Sequence, residues 1–593
     1  CPPDSAVTWH NHAKPLIDTW CTTCHTSLLA GEARKGAPTD LNFDTYEGVY
    51  KYRERIRAAA TGDSPRMPPA GGIIDIDRER LREWINCGAD GQGEDPGLCG
   101  TLVSQQGSVT IDSQADADSF CSGETNAIAG DLSITGGDIA IDCLCDVSGD
   151  FSVASSGATG IVLPELLHVG GELVLSDNSA LQAVEAPELT DIGFDGTTPA
   201  GGLTITGNPV LTAIDWPWLK DVGGGYLVSD NQGLATLKTS HAVTVSGPLT
   251  IASNPVLDDL NLERLRFVEG DLTIDDNPLL SSLASTASLE RVGGDLSLTN
   301  LPALIEIGGF LSVEEQLGDI EIGDNAGLTL IDGFTALILL SSDIFIHDNP
   351  NLELVNGFQH LEEMHGDIEI HDNLTLERIN GGFVNLVTMD GEIALRDNPQ
   401  LYDINGFEVI ADLGSLTLVN LPSLVDSASF ETVAAVAGSV EVQNTGVVLL
   451  ELFETALSIG GDVRVEDNGD LEALTGFAQA TVVNGELRVI NNSSMQGLAA
   501  FDSLATVNGD FTVSDNPLLE QPHQVTSLAT VGGSFRLNDN PTLFSVSQLL
   551  TLNAVGVDVE ITGNTSLPAA DADALAAGIA AVGGTVTVSG NGP

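Results

Sequence analysis

The nonapeptide Gly270-Asp271-Leu272-Thr273-Ile274-Asp275-Asp276-Asn277-Pro278 recurs in altered form along most of the chain. Gly366–Asn373, Gly391–Pro399 and Gly509–Pro517 are further copies. Eighteen Asn mark the unit between Asn178 and Asn591, including Asn277, Asn300, Asn325, Asn349, Asn373, Asn398, Asn420, Asn444 and Asn468, with steps mostly of 23–25 residues. A fixed period of this size means stacked turns, none of which buries its apolar face alone: a solenoid. Before each Asn, apolar residues alternate with polar ones (Leu272/Ile274, Ile368/Ile370), the period-2 mark of a strand. After it come a Leu (Leu280, Leu352, Leu401), a second apolar residue (Val355, Ile404) and often Gly-Phe (Gly357-Phe358, Gly406-Phe407). Stacked, these side chains make one continuous core. The Asn is expected to form an internal ladder, because a buried amide needs partners for its donors and acceptor.

The period begins near residue 150, and composition changes before it. Residues 1–100 hold 11 of the 21 Lys/Arg against 15 of the 85 Asp/Glu, a balance of −4 within a formal charge of −64. Trp9, Trp20, Trp84, Tyr46, Tyr50 and Tyr52 lie there too. Three parts are expected: 1–96, 97–150 and 151–593. The charge excludes nucleic acid and anionic membrane surfaces as natural ligands of the chain as a whole. No stretch reaches the roughly 18 uninterrupted apolar residues of a spanning helix.

Within 1–96 stands Trp20-Cys21-Thr22-Thr23-Cys24-His25. Cys-x-x-Cys-His is the attachment signature of c-type haem: two thiols add to the vinyl groups and the adjacent His reaches the iron. A zinc half-site would need a second ligand pair and a redox dithiol a βαβ context; neither is legible. Met67, in Arg66-Met67-Pro68-Pro69, is the only Met before residue 364. Its soft thioether suits low-spin iron, and the prolines stiffen its loop. His10 or His12 as second ligand, or Met67 as a core filler, are the alternatives. Helices are expected over about Ala6–Cys24, over Thr45–Ala60 with Tyr46, Val49 and Tyr50 on one face beside Tyr52 and Ile56, and from Asp75 or Asp77 through Leu81, Trp84 and Ile85.

These residues resemble the small monohaem cytochrome c fold, an all-α domain, over about 90 residues. The resemblance implies that Cys21 and Cys24 attach one haem c, with His25 the proximal and Met67 the distal ligand. The repeats, over roughly 440 residues, resemble the receptor L-domain, a right-handed single-strand β-helix related to leucine-rich repeats. Leu-x-Ile-x-x-Asn at 272–277 keeps a leucine-rich-repeat horseshoe as the alternative. About 18 turns at ~4.8 Å would span about 85 Å. The start, Cys1-Pro2-Pro3-Asp4-Ser5, resembles a bacterial lipoprotein after signal-peptide cleavage, with Cys1 lipidated and the membrane reached by that anchor alone.

Cysteines occur at 1, 21, 24, 87, 99, 121, 143 and 145. In an oxidising compartment the last five suggest two disulfides, Cys87–Cys99 and Cys121 with Cys143 or Cys145. Residues 97–150 are expected to cap the open solenoid end. His347 and His371, each before Asp-Asn, are expected to stack as an exposed polar stripe rather than bind metal, and no calcium-repeat motif is present. Asn-x-Ser/Thr matches at Asn373, Asn492 and Asn564 fall on ladder positions, which argues against glycans there.

The expectation is an exported electron carrier rather than an enzyme, in the periplasm or on a bacterial cell surface. Its solenoid would dock a redox protein or membrane electron-transfer complex. The alternative is a recognition or adhesion protein, or a scaffold subunit.

Overall fold

The computed structural model describes residues 13–21, 25, 37–38, 41–43, 46–61, 75–86, 99, 101–194, 201–425 and 428–593. The chain divides into two units, Cys1–Val103 and Ser104–Pro593.

The first unit contains three described helices: α1 (Lys14–Trp20), α2 (Tyr46–Ala60) and α3 (Asp75–Asn86). Leu16 and Ile17 of α1, Val49 and Ile56 of α2, and Leu81, Trp84 and Ile85 of α3 are buried. The i, i+3, i+4 spacing on α3 is therefore a core stripe. On α2 the stripe runs through Val49 and Ile56, while Tyr50 is 37% exposed and Tyr52 half-buried.

The second unit is a long parallel β-solenoid of about 20 turns. Each turn gives a two- or three-residue strand to one parallel ladder and a strand, usually of four residues, to another. In the second ladder Leu249, Leu272, Leu296, Ile320, Ile344, Ile368 and Ile393 stand in register. A third, interrupted ladder runs from Ile139–Ala140 to Asp259–Asn261 and resumes over Glu306–Val355 and Leu449–Leu498. Return segments between ladders are short strands, turns and 3-10 turns, apart from α4 and α5 introduced below. Burial alternates along the four-residue strands, with Leu272 and Ile274 fully buried while Thr273 and Asp275 face outward. Two turns depart from the pattern. Thr388–Arg396 and Asp412–Leu421 run on as long strands, joined with a register shift between Met389 and Glu392; such a bulge bends a strand locally.

From Ser155 onward a left-handed residue makes the corner at the end of each second-ladder strand. Asp276, Asp348, Asp372 and Asp397 have φ of 50–57°, and Gly207 has 67°. Asp, Asn and Gly tolerate this region best. The next residue turns inward and is commonly Asn. Asn349 shows the bonding: its Nδ2 donates to Ile322 O (3.0 Å), His347 O (2.8 Å) and Asn373 Oδ1 (3.2 Å), and its N–H donates to Asn373 Oδ1 (3.1 Å). Asn178, Asn208, Asn231, Asn254 and Asn277 at one end, and Asn468 through Asn564 at the other, are equally buried.

Three expected ladder members are not in it. Asn300, Asn420 and Asn444 have φ of 53°, 57° and 52° and occupy the left-handed corner. Leu301, Leu421 and Thr445 take the inward seat instead. Asn suits both places, so residue type alone does not separate them; spacing does. Steps of 23 and 25 around Asn300 become 24 and 24 when counted through Leu301.

Two further columns accompany the ladder. Phe310, Phe334, Phe358, Phe383, Phe407, Phe430, Phe453, Phe477 and Phe501 meet ring to ring, with centroids 4.9–6.3 Å apart. On the outside, Asp271 Oδ1 accepts the N–H of Asp295, Asp295 that of Asp319, and Asp319 that of Asp343, each at 3.0 Å. The Asp of the repeated Gly-Asp thus joins successive turns.

Parallel pairing already begins at Ser104, which is in register with Ala127, so the segment expected as a cap carries turns of its own. Its covering element is α4 (Gln114–Cys121), with Ala117 and Phe120 buried. The Gln114 side chain imitates a strand backbone: its Nε2 donates to Ala140 O (2.9 Å) and its Oε1 accepts the Ala140 N–H (2.8 Å). This closes the outer edge of the third ladder. Cys121 and Cys143 are joined in a disulfide. In the last turn α5 (Ala569–Gly578) likewise buries Ala572 and Leu575.

Candidate functional site

At the C-terminal end of α1, the Cys21 N–H donates to Ile17 O (2.8 Å) and the His25 N–H donates to Cys21 O (2.8 Å). One main-chain bond thus ties the first motif cysteine to the motif histidine. The His25 ring Nδ1 lies 3.1 Å from Leu41 O. A carbonyl oxygen only accepts, so Nδ1 is the donor in this contact, and in the neutral ring the lone pair then sits on Nε2. The ring stacks on Phe43, with centroids 4.7 Å apart and planes at 26°. The Phe43 N–H donates to His25 O at 2.7 Å. Leu41 and Phe43 are themselves buried, so three contacts from one short segment fix the imidazole. Phe43 in turn meets Tyr52 of α2, tilted at 6.4 Å.

The α2 helix ends at a clamp. Thr61 donates to Arg57 O through its N–H (3.2 Å) and its Oγ1 (2.9 Å), and Arg82 Nε of α3 donates to Thr61 O (2.9 Å). A cationic side chain at the last carbonyls of a helix is favourable, since the macrodipole is negative there.

Cys1, Cys24, Met67 and Cys87, like His10 and His12, lie outside the described residues. Among the motif members, Cys21 and His25 are the two that the described residues bring together. Leu41 and Phe43 carried no signal in the sequence: a short apolar alternation, Leu41-Asn42-Phe43, has no motif and no period.

The solenoid offers polar clusters of another kind. The rings of His347 and His371 stack at 5.3 Å, almost parallel. Each Nδ1 is committed to the adjacent aspartate, Asp348 at 3.0 Å and Asp372 at 2.9 Å. The pair is a stripe of imidazole–carboxylate couples, and among the described residues no group of three metal-ligating side chains forms around it. Asp146, His168 and Asp191 stand in register on three successive turns of the first ladder. His168 Nδ1 bonds Asp191 Oδ1, which raises the imidazole pKa above its ordinary value against the opposing effect of burial. Burial raises Asp146. Asp558 is held below the usual carboxylate range by hydrogen bonds from the backbone and then the side chain of Thr585. Tyr226 is pushed up to about 12 by burial, and burial lowers Arg264 to about 9. Arginines on the second ladder bridge turns, as in Arg464 with Glu486 (2.7 Å) and Arg488 with Glu466 (2.6 Å). The His168–Asp191, Asp558–Thr585, Arg464–Glu486 and Arg488–Glu466 contacts each join neighbouring turns.

No protein-family model and no curated protein matches the chain.

Proposed function

We propose that this protein is a one-electron carrier of the c-type cytochrome class. One haem c is attached through Cys21 and Cys24, the iron is held by His25 and Met67, and the acidic solenoid is the arm that docks or scaffolds it. The observation that carries the reading is the Nδ1–H of His25 on Leu41 O, which leaves Nε2 as the ligating atom. Metal-bound histidines characteristically donate their other ring N–H to a carbonyl or carboxylate, which fixes tautomer and orientation. The donor set fits the group: thiols for the vinyl carbons, an oriented imidazole for one axial position, and a thioether for the other.

When bound, haem supplies an iron that cycles between ferrous and ferric states. The rest follows from the chain. Leu41 and Phe43 hold the His25 ring still, which lowers the reorganisation that accompanies each change of charge. The Arg82–Thr61 bond anchors the end of α2, from which the segment bearing Met67 departs. Met67 as a ligand would raise the potential and, together with His25, would leave the metal no open position for substrate, so carriage would be favoured over catalysis.

Met67→Ala tests the ligand set. The expected result is loss of any sulfur-to-iron absorption and new binding of carbon monoxide or cyanide. A spectrum unchanged by the substitution contradicts the assignment.

A further inference from the structure

Helix α2 carries more cations than acids: Lys51, Arg53, Arg55 and Arg57 fall within seven residues, against Glu47 and Glu54, in a chain whose formal charge is −64, whereas the three arginines of α3 are outnumbered by its four acids. Lys51, Arg55 and Arg57 are exposed. Arg57 pairs with Glu54 at 2.9 Å. The others gather on tyrosine rings. Lys51 Nζ lies 4.8 Å from the Tyr52 centroid, the Arg55 guanidinium 5.8 Å from the same ring, and the Arg53 guanidinium 3.8 Å from Tyr50. Cation–π contact draws charge onto an aromatic face and steadies both groups. Tyr52 is also the outer member of the series His25–Phe43–Tyr52, with centroid steps of 4.7 and 6.4 Å. A positive patch and a line of conjugated rings therefore meet at one side chain.

We propose that the cationic face of α2 around Tyr52 docks a redox protein presenting a carboxylate-rich surface, and that electrons pass between that partner and the haem by way of the Phe43–His25 stack. This rests on the haem reading above. In each transfer one electron leaves the reduced centre and enters the oxidised one. The rings serve as a tunnelling medium, are not themselves oxidised, and no proton moves. Local charge governs encounter here: steering acts within about a Debye length, ~10 Å at 0.1 M salt, so an anion that reaches this face responds first to Lys51 and Arg55, the one exposed carboxylate among them, Glu54, being paired with Arg57. An anionic lipid surface would also meet such a helix, but it has no use for the ring series.

Two measurements on the full-length exported protein test this. The first reads contact without electron transfer. The chain has five tyrosines, so with ring-labelled tyrosine the redox-inert anion hexacyanochromate(III) should broaden the Tyr52 and Tyr50 signals and leave Tyr402 and Tyr226 sharp. Lys51→Glu/Arg55→Glu and high salt should each abolish the broadening. The second uses ferricyanide, which takes one electron from the ferrous protein. Its rate should fall as salt rises, although the molecule as a whole is an anion, and should drop about ten-fold in the double variant. The milder Lys51→Gln/Arg55→Gln should be intermediate. Tyr52→Phe should keep the rate and Tyr52→Leu should lower it. A rate that climbs with salt, uniform broadening of all tyrosines, or loss confined to binding of phosphatidylglycerol vesicles overturns the docking proposal while the haem stands. A colourless protein overturns both.

Discussion

In Ser104–Pro593 the buried Asn ladder and the outward Asp column bond their own counterparts one turn away, whereas in Cys1–Val103 the contacts of His25, Thr61 and Arg82 each occur once. The first arrangement is redundant and the second is not. Redundancy stabilises a surface of any length from one short set of rules, because each turn satisfies the next. A single, unrepeated constellation positions one ring nitrogen, which a repeated scheme has no reason to do. This contrast supports placing the proposed chemistry in the helical unit, with the repeat supplying extent.

The comparison predicts graded losses within the solenoid. The largest effect is expected for Phe407→Ala, which opens a void in a fully buried ring column between Phe383 and Phe430 and should cost about 3–5 kcal/mol in urea unfolding. Asn373→Ala follows, at about 2–4 kcal/mol, because it orphans Ile346 O, His371 O and the Asn349 N–H together. Asn300→Ala, at the exposed corner, should cost about 1 kcal/mol, because Ala tolerates a φ of 53° less well than Asn, and equal losses at the two positions would dissolve the distinction between ladder and corner. Asp319→Ala removes the acceptor of the Asp343 N–H and should cost about 1 kcal/mol in 1 M salt. The loss should shrink at low salt, because deleting the charge also relieves repulsion from Asp295 and Asp343, each about 0.8 kcal/mol at ~5 Å in water.

The smallest effect concerns His168, whose pKa is raised by its bond to Asp191. A histidine stabilised in its charged form contributes fully below its unfolded value of 6.5 and loses that contribution as pH climbs through the folded value. His168→Gln should therefore reduce stability below pH 6.5, by under about 1 kcal/mol, and leave it unchanged well above. A gap that widens on the alkaline side contradicts the sign.

Much of the solenoid was legible because period 24 and alternation within each strand reinforce one another, so Leu272, Ile274 and the Asn ladder follow from pattern alone. What escaped has definite reasons. Asn300, Asn420 and Asn444 were placed one residue out because Asn serves equally as a left-handed corner and as an inward amide. The Asp column escaped because a surface carboxylate in a chain with 85 acids reads as solvation, and only register shows that it accepts the next turn's N–H. Gln114 imitating a strand edge has no sequence signature at all. In the helical unit the Cys21/His25 motif was plain, but the Leu41 carbonyl that orients the ring was not, since a main-chain acceptor leaves no trace in residue type.

The most direct test of the central claim is a pyridine haemochrome assay with thiol counting on the chain produced in a host that attaches haem c. The account predicts one haem per polypeptide that survives acid extraction, with the thiols of Cys21 and Cys24 consumed as thioethers. A colourless protein whose two thiols are free or joined to each other contradicts it.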